Sequence, residues 1–565
     1  PLEGPDERNH VGYITDMRQY GRLPNPANYE DYLAFHESGQ PPLYYLLAWG
    51  WPLLGPAYEW DGLVPLNIWV EQASAVPGDN RNQYLLGGLH IPHNPEMQTA
   101  ATWARYASLL LGMLAVAAAW RVSRLLLPPG WALFVVMIFA FNPVLMRGFA
   151  VAGNDAAALV LGALAVWGLL RMISAPLYRT PRTARRLLLV GLALALGALS
   201  KASLLVFGMA AVILLVVRLY DDRPRLLWAL ALLLLPVLLL AAPWYGWNAI
   251  QHGDPFGTDP HLDMPWAFVP ARPVWEALRA EASILPSIWL DIGLPHEAIA
   301  PGMWARAVPL TAALLALVGG AMALRRLRHK SFEKRQMLVI LSLLLIVGGM
   351  GAAFVRWSLN FTAIGGRLLL PGYLALTLLV GLGLYALRIP RWLRDAFAAL
   401  TVFIAFVSVA LIVPRAFGVV TLPPERVPVL EGRGALAFGE IEFLGYRIDP
   451  PVLTPDVRAI DVTLCWQATH SEGLLEVPQS VVFAIIDDDL PIAGRETYPG
   501  TGSYTLWQPG RAHCDRFAVP FIYLLWRGDV YNVMVGLYDP DLGGLMPDNF
   551  SRGLFVGEVS VAGER

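Results

Sequence analysis

Ten stretches of the chain are apolar for about 20 residues each, long enough for a helix to cross a hydrocarbon core roughly 30 Å thick. They run near 101–120, 131–147, 154–172, 186–200, 202–218, 226–242, 305–324, 337–355, 368–387 and 395–413. From about residue 433 the pattern changes to short runs that alternate apolar and polar positions, such as "AIDVTLCWQAT" and "SVVFAIIDDD", separated by Gly, Pro and Asp. That period and spacing predict an antiparallel β-sandwich. The expected organisation is a first loop with interfacial helices (1–100), a transmembrane helical domain (101–413), a linker (414–432) and a β-sandwich domain (433–565).

Basic residues give the spans a direction. Arg121 and Arg124, "RTPRTARR" (179–186), "RLYDDRPR" (218–225), "RRLRHK" (325–330) and "RIPRWLR" (388–394) each follow alternate spans, so all fall on one side, which is expected to be cytoplasmic. The long segment 243–304, rich in acids, Trp and Pro, then lies outside, together with residues 1–100 and the β-domain. An outside start implies one further span ahead of Pro1. The stretch "PPLYYLLAWGWPLLG" (41–55) is too short to span and would reverse the charge pattern. It reads as a helix lying in the outer interface, with Tyr44, Tyr45, Trp49 and Trp51 at headgroup level.

Composition sharpens this picture. Of 565 residues, 56% are hydrophobic and only 15% charged, where a soluble chain carries roughly a quarter. The class is therefore a polytopic α-helical membrane protein with a C-terminal all-β domain. A net charge of −2 gives no reason to expect a nucleic-acid partner. The two cysteines, Cys465 and Cys514, both fall in predicted strands of the outer domain. A cross-sandwich disulfide and a pair of buried thiols are both open.

A charge beside hydrocarbon is a functional candidate, because it is costly unless paired or wet. Asp155 in "AVAGNDAAA", Lys201 in "GALSKASLL", and Arg356 and Arg367 around "RWSLNFTAIGGRLLLP" all lie at outer ends of spans, on the same side as Asp6 and Glu7 in "GPDERNH". Each has a plainer reading. Asn154–Asp155 could cap a helix, and Pro5, Asp6 and Glu7 suit a helix start. Lys201 could snorkel to headgroups, and Arg356 could pair with lipid phosphate. Arg367, after a glycine pair, is better placed to meet a bulky ligand.

These residues resemble the GT-C superfamily. "GPDERNH…YITDMRQYGRLP", "HESGQPPLYYLLA", "GNDAAA", "LSKASLL", "PWYGWNAIQHGDPFG" and "GGRLLLP" occur in the order and sidedness of bacterial proteins related to the protein O-mannosyltransferases and to the aminoarabinose transferase that modifies lipid A. The tail, with "FLGYRID…VTLCWQA…YPGTGSYTLWQPG…VGLYDPDLG", resembles the sandwich appended to many such enzymes. The resemblance implies transfer of a sugar, with inversion, from a polyprenyl-phosphate carrier to an acceptor on the outer face. It assigns the acceptor base to Asp6 with Glu7 beside it, a second acid to Asp155, and the lipid-linked phosphate to Arg367 and Lys201. His10, one turn from Asp6, Tyr44, Tyr45, Asn154 and Arg356 complete the expected substrate contacts. Where relatives read "HPPLYY", this chain has Gln40, and His36 stands four residues earlier.

Such chemistry needs these residue types. A carboxylate accepts the acceptor's proton, nearby carboxylates stabilise an oxocarbenium-like transition state, and a guanidinium offsets the charge growing on the phosphate. No Gly-rich phosphate loop or Rossmann pattern is present. No metal ligand set stands out by spacing, yet Asp6, Glu7, Asp155 and His252 could gather a divalent ion such as Mg or Mn. The expected partners are the lipid-linked donor, membrane lipids and an unidentified acceptor, with the β-domain free to meet a protein. Two other readings compete: a non-catalytic GT-C subunit of a larger assembly, and a lipid or sugar transporter. A transporter would show repeats and polar groups at the midplane, whereas these charges gather at one interface.

Overall fold

The computed structural model describes residues 6–50, Trp60, 95–262, 272–284, 334–361 and 366–412, and most of 421–562. These residues form two compact units, a helical one ending at Ser408 and a β unit after it.

The helical unit begins with α1 (Glu7–Tyr20) and α2 (Leu43–Gly50), followed by α3 (Pro95–Leu126), α4 (Pro129–Ala140), α5 (Pro143–Ala150), α6 (Asp155–Ser174), α7 (Pro181–Ser200), α8 (Leu205–Leu219), α9 (Arg223–Pro236) and α10 (Ala242–His252). Further on, the helices Lys334–Ser358, Tyr373–Ala386 and Arg391–Val407 complete the bundle. Among the described residues, eight helices are long and apolar enough to cross a membrane, or nine if α4 and α5 make one bent span. The expected span at 131–147 is that bent pair, with a 62° break. Pro143 disfavours helical backbone at Asn142, whose side chain instead accepts the Val144 and Leu145 N–H groups and starts a new helix. The expected span at 305–324 lies outside the described residues.

The most enclosed candidate span is α6, with 83% of its apolar window buried. Small residues allow this: a Cβ at Gly168 would come within 2.8 Å of Val190 on α7, so only glycine permits the approach. The helices α6 and α7 therefore form a close-packed pair. Lys201 in extended backbone ends α7 before α8 begins.

α2 departs from the expected interfacial helix. Tyr44 and Tyr45 are fully buried, while Leu46 and Leu47 are exposed. The aromatic pair turns inward because each hydroxyl finds a partner there, Ser108 Oγ at 3.0 Å for Tyr44 and His10 Nδ1 at 2.8 Å for Tyr45. Residues 51–55, including Trp51, lie outside the described residues.

In the β unit, one sheet has strand order β1-β7-β4-β3-β2 and the other β6-β5-β8-β9. These are β1 (Thr421–Leu422), β2 (Leu436–Phe438), β3 (Ile441–Asp449), β4 (Ala459–Ala468), β5 (Ser480–Asp487), β6 (Leu490–Thr497), β7 (Ala512–Pro520), β8 (Val530–Tyr538) and β9 (Leu554–Ser560). All pairings are antiparallel, and Phe443, Trp466, Phe483, Phe517 and Tyr531 from the two sheets share one core. Cys465 and Cys514 form a disulfide. It does not cross the sandwich; it joins directly opposed positions of neighbouring β4 and β7. Ile460, Val462, Leu464 and Trp466 point into the core, so Cys465, one residue out of phase, lies on the opposite face of its sheet. With the cysteines 49 positions apart in sequence, replacing both with Ser is expected to lower the β unit's stability by about 2–4 kcal/mol. A thermal melt of the full chain with and without the pair checks this, and an unchanged transition would refute it.

Candidate active site

The acids and cations that stand out at the span ends come together. Asp6 is bound by Arg367, and Asp155 by Lys201. The four residues come from the cap of α1, the turn after α7, the start of α6 and the short 3-10 helix Gly366–Gly372. Asp155 is also within electrostatic reach of Arg367 and His10, so the two ion pairs form one cluster. Their side chains keep 15–17% of their surface accessible, which leaves them open to a ligand.

Helix capping does not explain either acid. Asp6 is the N-cap of α1, yet its carboxylate makes no capping bond. Its backbone is left-handed (φ 58°), a conformation costly for a residue with a Cβ. Phe35, in the facing turn, also has positive φ (47°). Asn154 caps nothing with its side chain either; its Nδ2 donates to Gln40 Oε1 at 3.2 Å. Local helix chemistry is thus overridden at both acids by contacts distant in sequence.

Around Asp6 lies a buried polar layer. His36 Nε2 faces Asp6 Oδ1 at 3.6 Å and Glu37 Oε1 at 3.5 Å, while its Nδ1 lies 3.0 Å from Asn9 Nδ2. Asp16 accepts the Leu33 and Ala34 N–H groups, fixing the turn that carries His36. Burial alone would raise the Asp6 carboxyl, but Arg367 and His36 outweigh it and hold it well below the usual carboxylate range. Burial likewise lowers the His36 imidazole, and the hydrogen bond to Asp6 with the charges of Glu37 and Asp6 reverses this into a raised value. His10 bonds Tyr45, which stacks on Tyr13 with ring centroids 3.7 Å apart.

Glu7 differs from its neighbour. It is wholly buried and grips Arg105 through two bonds, Nε–Oε1 at 2.7 Å and Nη2–Oε2 at 2.8 Å. Oε1 also accepts the Ala152 N–H at 2.8 Å, and Tyr44 Oη accepts the Gly153 N–H at 2.9 Å. Together with Gln40, these residues hold the "AGN" turn that presents Asp155. Arg105 had a signal in the sequence, as a lone cation within the apolar run of α3. Arg356 stands apart, exposed, with Nη1 3.3 Å from the Asn360 side-chain amide and no contact to the cluster among the described residues.

The expected metal set of Asp6, Glu7, Asp155 and His252 is not assembled among the described groups: Asp6, Glu7 and Asp155 each carry a basic partner, and the His252 side chain lies outside the description. A different set does converge, with His36, Glu37 and His261 offering ligand atoms within 4.8 Å of one another. Glu37 Oε2 and His261 Nδ1 are buried without a hydrogen-bond partner among the described residues. Two imidazoles and one carboxylate suit zinc better than Mg or Mn.

Residues 98–247 match the model of the dolichyl-phosphate-mannose-protein mannosyltransferases. That family is among those the sequence resembles, and the match lies within the helical part of the chain. The matched segment holds Arg105, Asp155 and Lys201. A comparison with curated proteins finds no match. Among solved structures, the chain is similar to ArnT from Cupriavidus metallidurans bound to undecaprenyl phosphate (16% identity, 72% of this chain, 66% of that one, TM-score 0.39). It is also similar to the archaeal oligosaccharyltransferase AglB from Archaeoglobus fulgidus in complex with an inhibitory peptide and a dolichol-phosphate (12% identity, 72% of this chain, 51% of that one, TM-score 0.39). The chain thus spans slightly under two thirds of the first and about half of the second.

Proposed function

We propose that this chain moves a sugar from a polyprenyl-phosphate carrier to an acceptor hydroxyl, with inversion, on the extracytoplasmic face. The observation that carries this reading is the interleaving of two accessible carboxylates with two cations, Asp6 with Arg367 and Asp155 with Lys201. Asp6 takes the acceptor proton as the hydroxyl attacks C1, and Asp155 stabilises the positive charge that develops on the ring. The C1–O bond to phosphate breaks as the new glycosidic bond forms. Arg367 and Lys201 then hold the released polyprenyl phosphate. Glu7 acts at one remove, holding the Asp155 turn through Ala152, and His10 and Tyr45 hold the floor beneath it. Arg356, exposed on its helix, is suited to lipid headgroups. His36, Glu37 and His261 would hold a divalent ion, which would pin the Asp6-facing turn.

Arg367→Gln is expected to raise the KM for a polyprenyl-phosphate sugar about 10–100-fold, since charge-assisted bonds to phosphate contribute roughly 1.5–3 kcal/mol. Steady-state kinetics in nanodiscs with a panel of polyprenyl-phosphate sugars checks this. Unchanged KM and kcat in a folded variant would refute the donor assignment.

A further inference from the structure

Asp155 and Lys201 begin α6 and end α7; the opposite ends of the same two helices gather a second set of charges. A 20-residue helix such as α6 is about 30 Å long, so this set lies one membrane thickness from the carboxylates. Residues 171–186 and 218–225 carry eight arginines and two aspartates. Both aspartates are engaged, Asp222 pairing with Arg225 at 3.1 Å and Asp221 bonding the Tyr220 hydroxyl.

Arg186 on α7 and Arg218 on α8 stand close enough to repel one another. Arg218 Nη2 donates to Ala175 O at 2.7 Å, and Arg335 Nη2 to Ser174 Oγ at 3.0 Å. Cations at a helix C-terminus are ordinary, since they satisfy its free carbonyls. Here that use leaves a remainder. Nη1 of both Arg186 and Arg218 is withdrawn from solvent with no acceptor among the described residues. Two like charges on neighbouring helices, each with an enclosed, unbonded N–H group, are costly unless an anion offsets them.

We propose that Arg186 and Arg218 form a binding site for a phosphate ester, supplied by the headgroup of an anionic phospholipid in the leaflet at this end of the bundle. A planar guanidinium matches phosphate oxygens, and basic pockets between membrane helices recognise such headgroups. Leu189, one turn along α7 from Arg186 and half exposed, offers an acyl chain an apolar surface beside the phosphate. That favours a lipid over a free ion.

Native mass spectrometry of the full chain, released from micelles with equimolar phosphatidylglycerol and phosphatidylcholine, tests the site. The native protein should retain phosphatidylglycerol about tenfold over phosphatidylcholine, and Arg186→Gln/Arg218→Gln should bring the ratio close to one. Equal retention by the native protein, or an unchanged preference in the folded double variant, would overturn the site. If the Gln variant does not fold, Arg186→Lys/Arg218→Lys keeps the charge without the planar fork and should show a reduced preference; an undiminished one counts against the site. A parallel arm offers inorganic phosphate alone. Its retention by the native protein without any lipid preference would overturn the lipid source.

Discussion

Asp6→Asn is expected to lower sugar transfer by about 10²–10⁴-fold while the protein stays folded, the range a general base usually contributes. The resting geometry explains how a strongly acidic carboxyl can serve as a base. Arg367 holds Asp6 ionised before substrate arrives. A donor phosphate competes for the same guanidinium. Once Arg367 turns to it, Asp6 loses its main counter-charge and, still largely buried, becomes more basic where the acceptor hydroxyl needs it. The pH dependence follows in sign. The Asp6 carboxyl has a depressed folded value, so the stability from its ion pair is present above the ordinary value of about 3.9 and is lost as pH falls through the depressed one. Stability measured from pH 8 down to 5 should therefore show no Asp6-dependent change, with the loss confined to stronger acid. A folded Asp6→Asn variant with full transfer activity would sink the assignment.

Much of the candidate cluster was legible because its charges are conspicuous against hydrocarbon. Asp155, Lys201 and Arg367 each interrupt or border an apolar run, and the basic clusters put them on one side together with Asp6. What could not be read was pairing. Asp6 and Arg367 lie 361 residues apart, and no local pattern says that Asp6 meets Arg367 while Asp155 meets Lys201. His261 and Glu37 were hidden for the opposite reason: they sit in short helical turns outside the apolar runs, Asp259–Leu262 and Phe35–Glu37, where polar residues are unremarkable. Two misses had signals. Arg105 interrupts α3 much as Asp155 interrupts its own region, and Cys465 is out of phase with Leu464 and Trp466, which sets it on the far face of its sheet from the core. The fold came through well where period and length are unambiguous. The break between α4 and α5 shows the limit, since hydropathy runs through Asn142 and Pro143 although the backbone cannot.

Breaking the Arg105–Glu7 clamp should have unequal consequences depending on which partner is removed. Arg105→Met takes the two-bond guanidinium partner away from Glu7, a carboxylate with no accessible side-chain surface, and is expected to cost about 3–5 kcal/mol. Glu7→Gln leaves Arg105, whose side chain is 30% accessible and can draw on water, and should cost only about 1–3 kcal/mol. Activity should follow a different order. The Ala152 N–H depends on Glu7 Oε1, and that bond holds the turn presenting Asp155. A Glu7→Met/Arg105→Met pair removes both charges, so much of the stability lost in Arg105→Met should return. Transfer activity should not return, because Ala152 has lost its acceptor and the turn that presents Asp155 to Lys201 is no longer held by Glu7. Melting temperatures and kcat of the two single variants and the pair separate the effects. If the double variant regained activity along with stability, Glu7 would be no more than a packing residue, and the position of Asp155 would have to be set by Tyr44, Gln40 and Lys201.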